Sequence, residues 1–306
     1  MNNLNKLTVV IVTYKTDPTI LRNCINSIDN NVEIKIVENS SKMENQPLLI
    51  NKKDNLSIYY TGKNLGYGAG NNYGFNLVNT DYVIVANPDI IFHKTFFDNV
   101  KKYLVSNLNF TIIGSTYNEE TSFSSSGLFK ENEKKKYQND LDFYLKKSFD
   151  TLTKVDWVTG CMMLINLKKF DNRKLFDESF FLYFEEFDLC KSTINKGGSI
   201  YSSSDLRVHH LGFKGSLGAN NKLKNDANKL RDWHWMWSYF YFYKKNYNYI
   251  YALWKVSGKF FKSLLKSIYY ALLFNKLNRD KYLYRFLGLL FSIIGIKSNY
   301  RGRQFY

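Results

Sequence analysis

A chain of 306 residues, 44% of them hydrophobic, has enough apolar material for one large domain or a domain with an appendage, and its three prolines exclude long Pro-rich linkers. Its three cysteines, Cys24, Cys161 and Cys190, follow no disulfide or zinc spacing, as expected in a reducing compartment. The net charge of +16 is uneven: after residue 220, 17 Lys and Arg stand against three acids, while the preceding part is close to neutral.

Residues 7–13 (LTVVIVT) form a continuous β-branched run, which predicts a strand buried on both faces. Residues 19–27 have helical spacing through Ile20, Leu21, Cys24 and Ile25. Further strands are expected at 33–38, 56–60 and 81–86, the first closing on Glu38-Asn39-Ser40 and the last on Asn87-Pro88-Asp89. Between the third and fourth, a Gly- and Asn-rich stretch from Asn64 to Gly74 leads into a short helix. Strands alternating with helices imply an α/β fold with a parallel sheet and right-handed crossovers. Residues 118–150, rich in Ser, Lys, Glu and Asn with weak periodicity, read as an insertion or mobile loop. Strand and helix character returns at 155–167 and 179–195, and from residue 223 onward the signal is helical.

In open α/β sheets ligands sit beyond the carboxyl ends of the strands. Three such ends are polar here: Thr13-Tyr14, Glu38-Asn39 and Asn87-Pro88-Asp89. A carboxylate directly after a buried strand, such as Asp89, can hold Mg²⁺ or Mn²⁺ against a diphosphate, although Asn-Pro-Asp is also ordinary turn chemistry. Glu185 and Glu186 lie in a run of large apolar residues. Desolvation and mutual repulsion would raise their pKa, which suits a general base near neutrality; the plainer reading is a helix start that favours acids. In Arg207-Val-His209-His210, adjacent strand residues face opposite ways, so at most one histidine joins a given site.

Taken in order, the motifs TVVIVTY from Thr8, VENS from Val37, NLGYGAGNN from Asn64, Asn87-Pro88-Asp89, VTGCMM from Val158, FDESFFLYFEE from Phe176, Asp188-Leu189-Cys190 and His210-Leu211-Gly212 resemble glycosyltransferase family 2, in particular its rhamnosyltransferase-like members. The resemblance runs from Leu7 to Ser216. It implies a GT-A fold: a mostly parallel sheet flanked by helices, with the C-terminal helical region added as an extension. It also implies a nucleoside diphospho-sugar donor, with dTDP-rhamnose favoured, and inversion by direct displacement. Asp89 and His210 would hold the metal, Mg²⁺ or Mn²⁺. Thr13, Tyr14, Glu38, Asn64, Gly66 and Asn87 would line the nucleotide pocket, with Gly66 and Gly68 letting the backbone approach the donor. Glu186 would act as the base, with Glu185 as the alternative. Two departures keep the charge but lengthen the side chain: Glu38 and Glu186 each stand where the family usually has Asp.

The resemblance ends where the basic segment begins, so the chain divides into a catalytic part, 1–220, and a helical region, 221–306. The region opens with aromatics, Trp233-His-Trp-Met-Trp237 and Tyr239-Phe-Tyr-Phe-Tyr243, and continues with Lys255, Lys259, Lys262 and Lys266 among apolar residues. Aromatics with lysines at an apolar boundary suit a helix lying in the headgroups of an anionic membrane surface, and a packed helical cap with a basic outer face is the structural alternative. No secretory h-region is visible, and the apolar stretch at 286–296 is about half a bilayer span. The expectation is a peripheral enzyme on the cytoplasmic face of the plasma membrane. It would act on a lipid-linked glycan acceptor in bacterial surface polysaccharide synthesis. Nucleic acid is the competing partner for a basic, aromatic surface. It is not expected here, because no recognised binding motif accompanies that surface and the near-neutral catalytic part would go unexplained. An inactive sugar-binding relative would not need Asp89, the Glu185-Glu186 pair and His210 together.

Overall fold

The computed structural model describes residues 3–41, 54–106, 108–117, 125–129, 151–212 and 221–301. Most of the expected insertion at 118–150 lies outside the described residues, as does the proposed boundary at residue 220.

The first half of the sheet is built as the sequence dictates. β1 (Leu7–Thr13), β2 (Glu33–Glu38), β3 (Leu56–Tyr60) and β4 (Tyr82–Ala86) pair in parallel in the order β3-β2-β1-β4. The β1 run is buried on both faces. Leu7, Val9 and Ile11 pack in the cluster that includes α1 (Pro18–Asn26), while Val10 points into the opposite cluster with Phe75 of α2 (Tyr67–Phe75). Asp17 caps α1, accepting from the Thr19 and Ile20 N–H groups, with Pro18 in the first turn.

The second half is mixed, which leaves the sheet mostly parallel, as the fold expectation had it. β5 (Ile90–Phe92) follows β4 after three residues, too few for a parallel crossover, and pairs elsewhere, antiparallel to β11 (Ile200–His210). β6 (Ile112–Tyr117) runs parallel to β11, and β10 (Met162–Asn166) enters antiparallel between β4 and β6. β8 (Leu152–Lys154) also pairs antiparallel with β11, and a small separate ribbon joins β7 (Ser126–Gly127) to β9 (Trp157–Val158). Six of the nine strands in the main sheet still share one direction. α3 (Phe96–Val105) covers the α1 side through Phe96, Phe97, Val100 and Tyr103, and α4 (Glu185–Asn195) covers the α2 side through Leu189 and Cys190.

This topology places the site. From β1 the chain winds outward through β2 to β3, then returns to β4 on the other side of β1. The carboxyl ends of β1 and β4 are therefore a topological switch point, where a crevice opens.

The C-terminal region folds as α5 (Asn221–Asn246), α6 (Tyr249–Leu272) and α7 (Lys276–Ile293). Here the structure corrects the assignment of the aromatic cluster to a lipid boundary. Trp233, Trp237, Phe240 and Phe242 of α5 are buried. The reason is geometric: α5 packs on one side against α7 and α6 and on another against residues 180–187, so its aromatic residues turn inward on two faces. Gly288 of α7 lets the helices meet, since a Cβ there would lie 2.2 Å from the Trp233 carbonyl oxygen. Polar ties fix α5 to the sheet domain: Lys245 Nζ contacts Asp177 at 2.7 Å and Asp188 at 2.6 Å, and Asn246 donates to Asp188 at 2.9 Å. The chain beyond α7 then folds back. His234, buried and held neutral with its pKa pushed down to about 3, bonds Ser298 and the Tyr300 carbonyl, and Arg301 stacks 3.7 Å above the Phe181 ring.

Candidate active site

The crevice at the switch point is a cleft of about 240 Å³, lined by residues from several parts of the fold, among them Asn39 after β2 and Phe181, Leu182 and Tyr183 before α4. From the end of β1 come Val12, Thr13 and Tyr14, and from the turn after β4 come Asn87 and Asp89. The loop before α2 adds Asn64 and Gly66, the end of β11 adds His210, and α5 adds Ala227, Leu230 and Arg231. A larger cavity, about 310 Å³, opens at the other end of the sheet among Thr111, Lys169, Thr193 and Gly198. It lies at the amino ends of β6 and β11, away from the switch point.

Seven of the ten residues singled out in the sequence thus share one wall: Thr13, Tyr14, Asn64, Gly66, Asn87, Asp89 and His210. The antiparallel pairing of β5 with β11 explains how Asp89 and His210, more than a hundred residues apart, meet. His210 stands opposite Ile90, and the Leu211 N–H donates to the Asp89 carbonyl at 2.9 Å. His210 Nε2 consequently lies 3.3 Å from the buried Asp89 carboxylate. His209 is not among the residues lining the cleft, as alternation along a strand requires.

Glu38 stands behind this wall. Thr13 and Glu38 are register partners on β1 and β2, and the buried Glu38 carboxylate accepts from Thr13 Oγ1 at 2.6 Å and from Ser40 Oγ at 2.6 Å. It therefore fixes Thr13, one side chain removed from the cleft. Tyr14 hydrogen-bonds Asn64, and burial, reinforced by Glu38, raises its phenol pKa.

The glycines do something other than expected. Gly66 lines the cleft, but its close approach is to protein: at φ +90 a Cβ would lie 2.2 Å from the Phe181 carbonyl oxygen. A Cβ on Gly68 would meet Phe176 and Glu185. Asn72 clamps the same segment, donating to the Phe176 carbonyl at 2.8 Å and accepting from the Phe176 N–H at 2.9 Å. The Gly- and Asn-rich motif is thus the seat of the strand-to-helix segment that carries the two glutamates. Gly66→Ala should lower stability by about 2–4 kcal/mol through backbone strain and overpacking. Urea unfolding measures it; an unchanged midpoint would mean the segment yields freely.

Glu185 and Glu186 open α4 beside the cleft rather than in its lining. Tyr183 and Phe184, just before them, both hold left-handed backbone with φ 69. Such strain in non-glycine residues costs of order 1–3 kcal/mol each and needs packing to hold it; here Phe184 is gripped by Phe187, Trp235, Tyr239 and Phe242. The Glu185 carboxyl is buried, and its Oε2 has no hydrogen-bond partner among the described residues. Burial, then repulsion from Glu186, pushes its pKa well above the usual carboxylate range. Burial raises Glu186 to about 7, and its side chain, only partly exposed, lies beside Gly160, whose carbonyl accepts from the cleft residue Tyr67.

Sequence reasoning missed the cleft residues Tyr67, Phe181, Leu182, Tyr183 and Arg231. Arg231 had no signal, because it comes from a helix read as an appendage.

Residues 8–173, more than half of the chain, match the family model described as glycosyl transferase family 2. The chain belongs to that family. Within glycosyl transferase family 2 and its neighbourhood, the chain is 29% identical over 205 residues to the low-salt glycan biosynthesis hexosyltransferase Agl10 of Haloferax volcanii, a match covering 61% of each protein. It is 25% identical over 203 residues to the rhamnosyltransferase WbbL of Escherichia coli K12, covering 58% of this chain and 69% of the relative. The chain therefore spans about three fifths of the length of the hexosyltransferase. Among solved structures it is similar to GalNAc-T7 with UDP, GalNAc and Mn²⁺ (TM-score 0.49, 12% identity, 83% of this chain and 56% of that one). It is also similar to the mannosyltransferase PcManGT of Pyrobaculum calidifontis with GDP-Man and Mn²⁺ (TM-score 0.49, 12% identity, 94% of this chain and 87% of that one).

Proposed function

We propose that the chain transfers a hexosyl group, with inversion, from a nucleoside diphospho-sugar to a hydroxyl of a lipid-linked glycan. Rhamnose from dTDP-rhamnose is the favoured donor. The observation that carries this reading is one cleft at the switch point whose lining brings Tyr14, Asn64 and Gly66 together with Asp89, His210 and Arg231. Similarity to a rhamnosyltransferase supports the sugar, and similarity to a glycan biosynthesis hexosyltransferase supports a glycan as the product.

Asp89 and His210 fit a divalent cation, Mg²⁺ or Mn²⁺. They offer one carboxylate and one imidazole, and such ions commonly take their remaining positions from substrate phosphates and water. No group of three or more His, Cys, Asp or Glu that could hold a metal occurs among the described residues, so the diphosphate itself would complete the shell. Bound there, a cation would neutralise charge developing on the leaving diphosphate. Arg231 adds a fixed positive charge to the same wall. Tyr14 and Asn64 orient the nucleoside, and the glutamate pair removes the acceptor proton from beside the cleft.

A panel of nucleotide-sugars tests this, read by nucleoside diphosphate release with Mg²⁺ or Mn²⁺ and by thermal stabilisation. Release from dTDP-rhamnose above all others is expected; release from none, with no stabilisation, would remove the donor reading. Arg231→Gln should weaken nucleoside diphosphate binding about 10- to 100-fold, the worth of one charge-assisted contact, while leaving uncharged nucleoside binding unchanged. Calorimetry with both ligands distinguishes the two. Equal losses for both would mean that Arg231 only holds the fold.

A further inference from the structure

Helix α6 is amphipathic in the wrong sense for a helix that ends its packing at the protein surface. Its fully buried side chains, Ala252, Val256, Ser263 and Ser267, are small, and they face the rest of the C-terminal bundle. Leu253 and Phe260 also pack inward, but most of its other large apolar side chains point the other way. Ile250, Trp254, Phe261, Leu265, Ile268 and Leu272 are all exposed, Trp254 at 68% and Leu272 at 72%. Their spacing of 4, 7, 4, 3 and 4 puts them on one stripe along a helix about 36 Å long. The stripe continues into the α6–α7 turn, where Phe274 is 94% exposed and Leu277 66%. A contiguous apolar strip of this length marks a surface that is covered by something.

Beside it runs a second row. Lys255, Lys259, Lys262 and Lys266, spaced 4, 3 and 4, stand roughly a third of a turn round from the apolar stripe. Lys255, Lys259 and Lys266 lie over tyrosine rings, among them Tyr243, Tyr239 and Tyr282. No Asp or Glu occurs anywhere between Asp232 and Asp280.

We propose that this face of α6, with the α6–α7 turn, docks on an anionic lipid bilayer, the helix lying along the headgroups. The charge chooses the occupant. A second copy seated on this face would bring two lysine rows together with no acid on the helix to answer them, whereas anionic headgroups complement them. Nucleic acid would match the lysines and rings but leave Ile250, Leu265, Leu272 and Leu277 unburied. No described helix is long and apolar enough to cross a membrane, which leaves the in-plane arrangement. The surface narrows the sequence reading, which spanned residues 221–306 and included these same lysines, to α6 and its turn, since most of the Trp233–Tyr243 cluster packs inside. It is independent of which sugar the cleft takes.

The test uses the full chain with vesicles of phosphatidylcholine alone or mixed with phosphatidylglycerol. Wild type should sediment with the mixed vesicles at low salt and less at high salt, and Trp254 emission should shift to the blue and be quenched by brominated lipid. The triple variant Trp254→Ser, Phe261→Ser, Leu265→Ser should lose at least about a hundredfold in partitioning on both vesicle types, because it removes buried apolar area. The quadruple variant of Lys255, Lys259, Lys262 and Lys266 to Gln should lose only the phosphatidylglycerol preference and the salt dependence. The triple variant changes exposed side chains, so its thermal midpoint should stay at the wild-type value, and nucleotide binding, whose cleft lies elsewhere, should be unchanged in both variants. Wild type left in the supernatant with mixed vesicles at low salt overturns the proposal. So does a wild-type dimer that the triple variant dissociates, or tight single-stranded RNA binding that the quadruple variant alone abolishes in a protein that ignores vesicles.

Discussion

Replacing Asp89 with Ala should reduce sugar transfer by about a thousandfold or more, the scale of several kcal/mol of lost leaving-group stabilisation, in a protein that still folds. Asp89 sits in the turn between β4 and β5, and its carbonyl, which holds Leu211 in place, survives the substitution. What disappears is the one buried carboxylate of the donor cleft, 3.3 Å from His210 Nε2. Asp89→Asn separates charge from shape: it keeps the side chain's size and polar contacts, yet should lose nearly as much. His210→Ala should cost less, since an imidazole supplies a ligand but no negative charge. The measurement has two parts, turnover with saturating Mg²⁺ or Mn²⁺ and Mn²⁺ binding in the presence of nucleoside diphosphate, followed by spin resonance. Near-normal turnover in Asp89→Ala, or in wild type stripped by a chelator, would make Asp89 a turn residue and nothing more.

How much of this was legible in the sequence depends on how local the signal is. β1 and β4 announce themselves because each is a largely β-branched run apolar on both faces, whereas β2 (EIKIVE) and β3 (LSIYY) are marked by short β-branched or aromatic stretches set between polar turns. The carboxyl ends of β1 and β4 could be read as a site for the same reason: Thr13, Asn87 and Asp89 interrupt runs that are otherwise buried. β5 could not be read, because three residues long it carries no period, and its partner lies more than a hundred residues away. The nearness of His210 to Asp89 depends on that pairing. The Trp233–Tyr243 cluster was misplaced for a related reason. An aromatic, lysine-bearing helix has the same sequence whether its rings meet lipid or protein, and only the packing of α5 between residues 180–187 and the other two helices decides it. Once α5 is recognised as interior, Arg231 becomes a cleft residue, and the catalytic part and the helical region share one site.

The glutamate pair should divide its labour by burial. Glu185 is the deeper carboxyl, its pKa raised well above the usual range by burial and then by repulsion from Glu186. Glu186, raised to about 7, gives its proton up first and is the group able to accept one from an acceptor hydroxyl. Glu186→Gln should therefore lower kcat by about a hundred- to ten-thousandfold, the usual weight of a general base, with donor KM little changed. Glu185→Gln, which leaves Glu186 in place, should retain most of the activity. In wild type, kcat should rise with pH through a limb near 7, because the base works deprotonated. Stability should run the opposite way. A carboxyl whose folded pKa lies above its unfolded value stabilises the fold at low pH and loses that contribution as pH climbs toward about 7. Removing the ionisable group abolishes this loss, so Glu186→Gln should be more stable than wild type at pH 8 by of order 1–3 kcal/mol and nearly equal to it at pH 5. A variant that loses activity and gains alkaline stability together identifies a carboxylate held in strained, dry surroundings for its chemistry. Loss of turnover on Glu185→Gln with Glu186→Gln still active would move the base to Glu185. An activity limb unmoved by either substitution would place the base outside the pair.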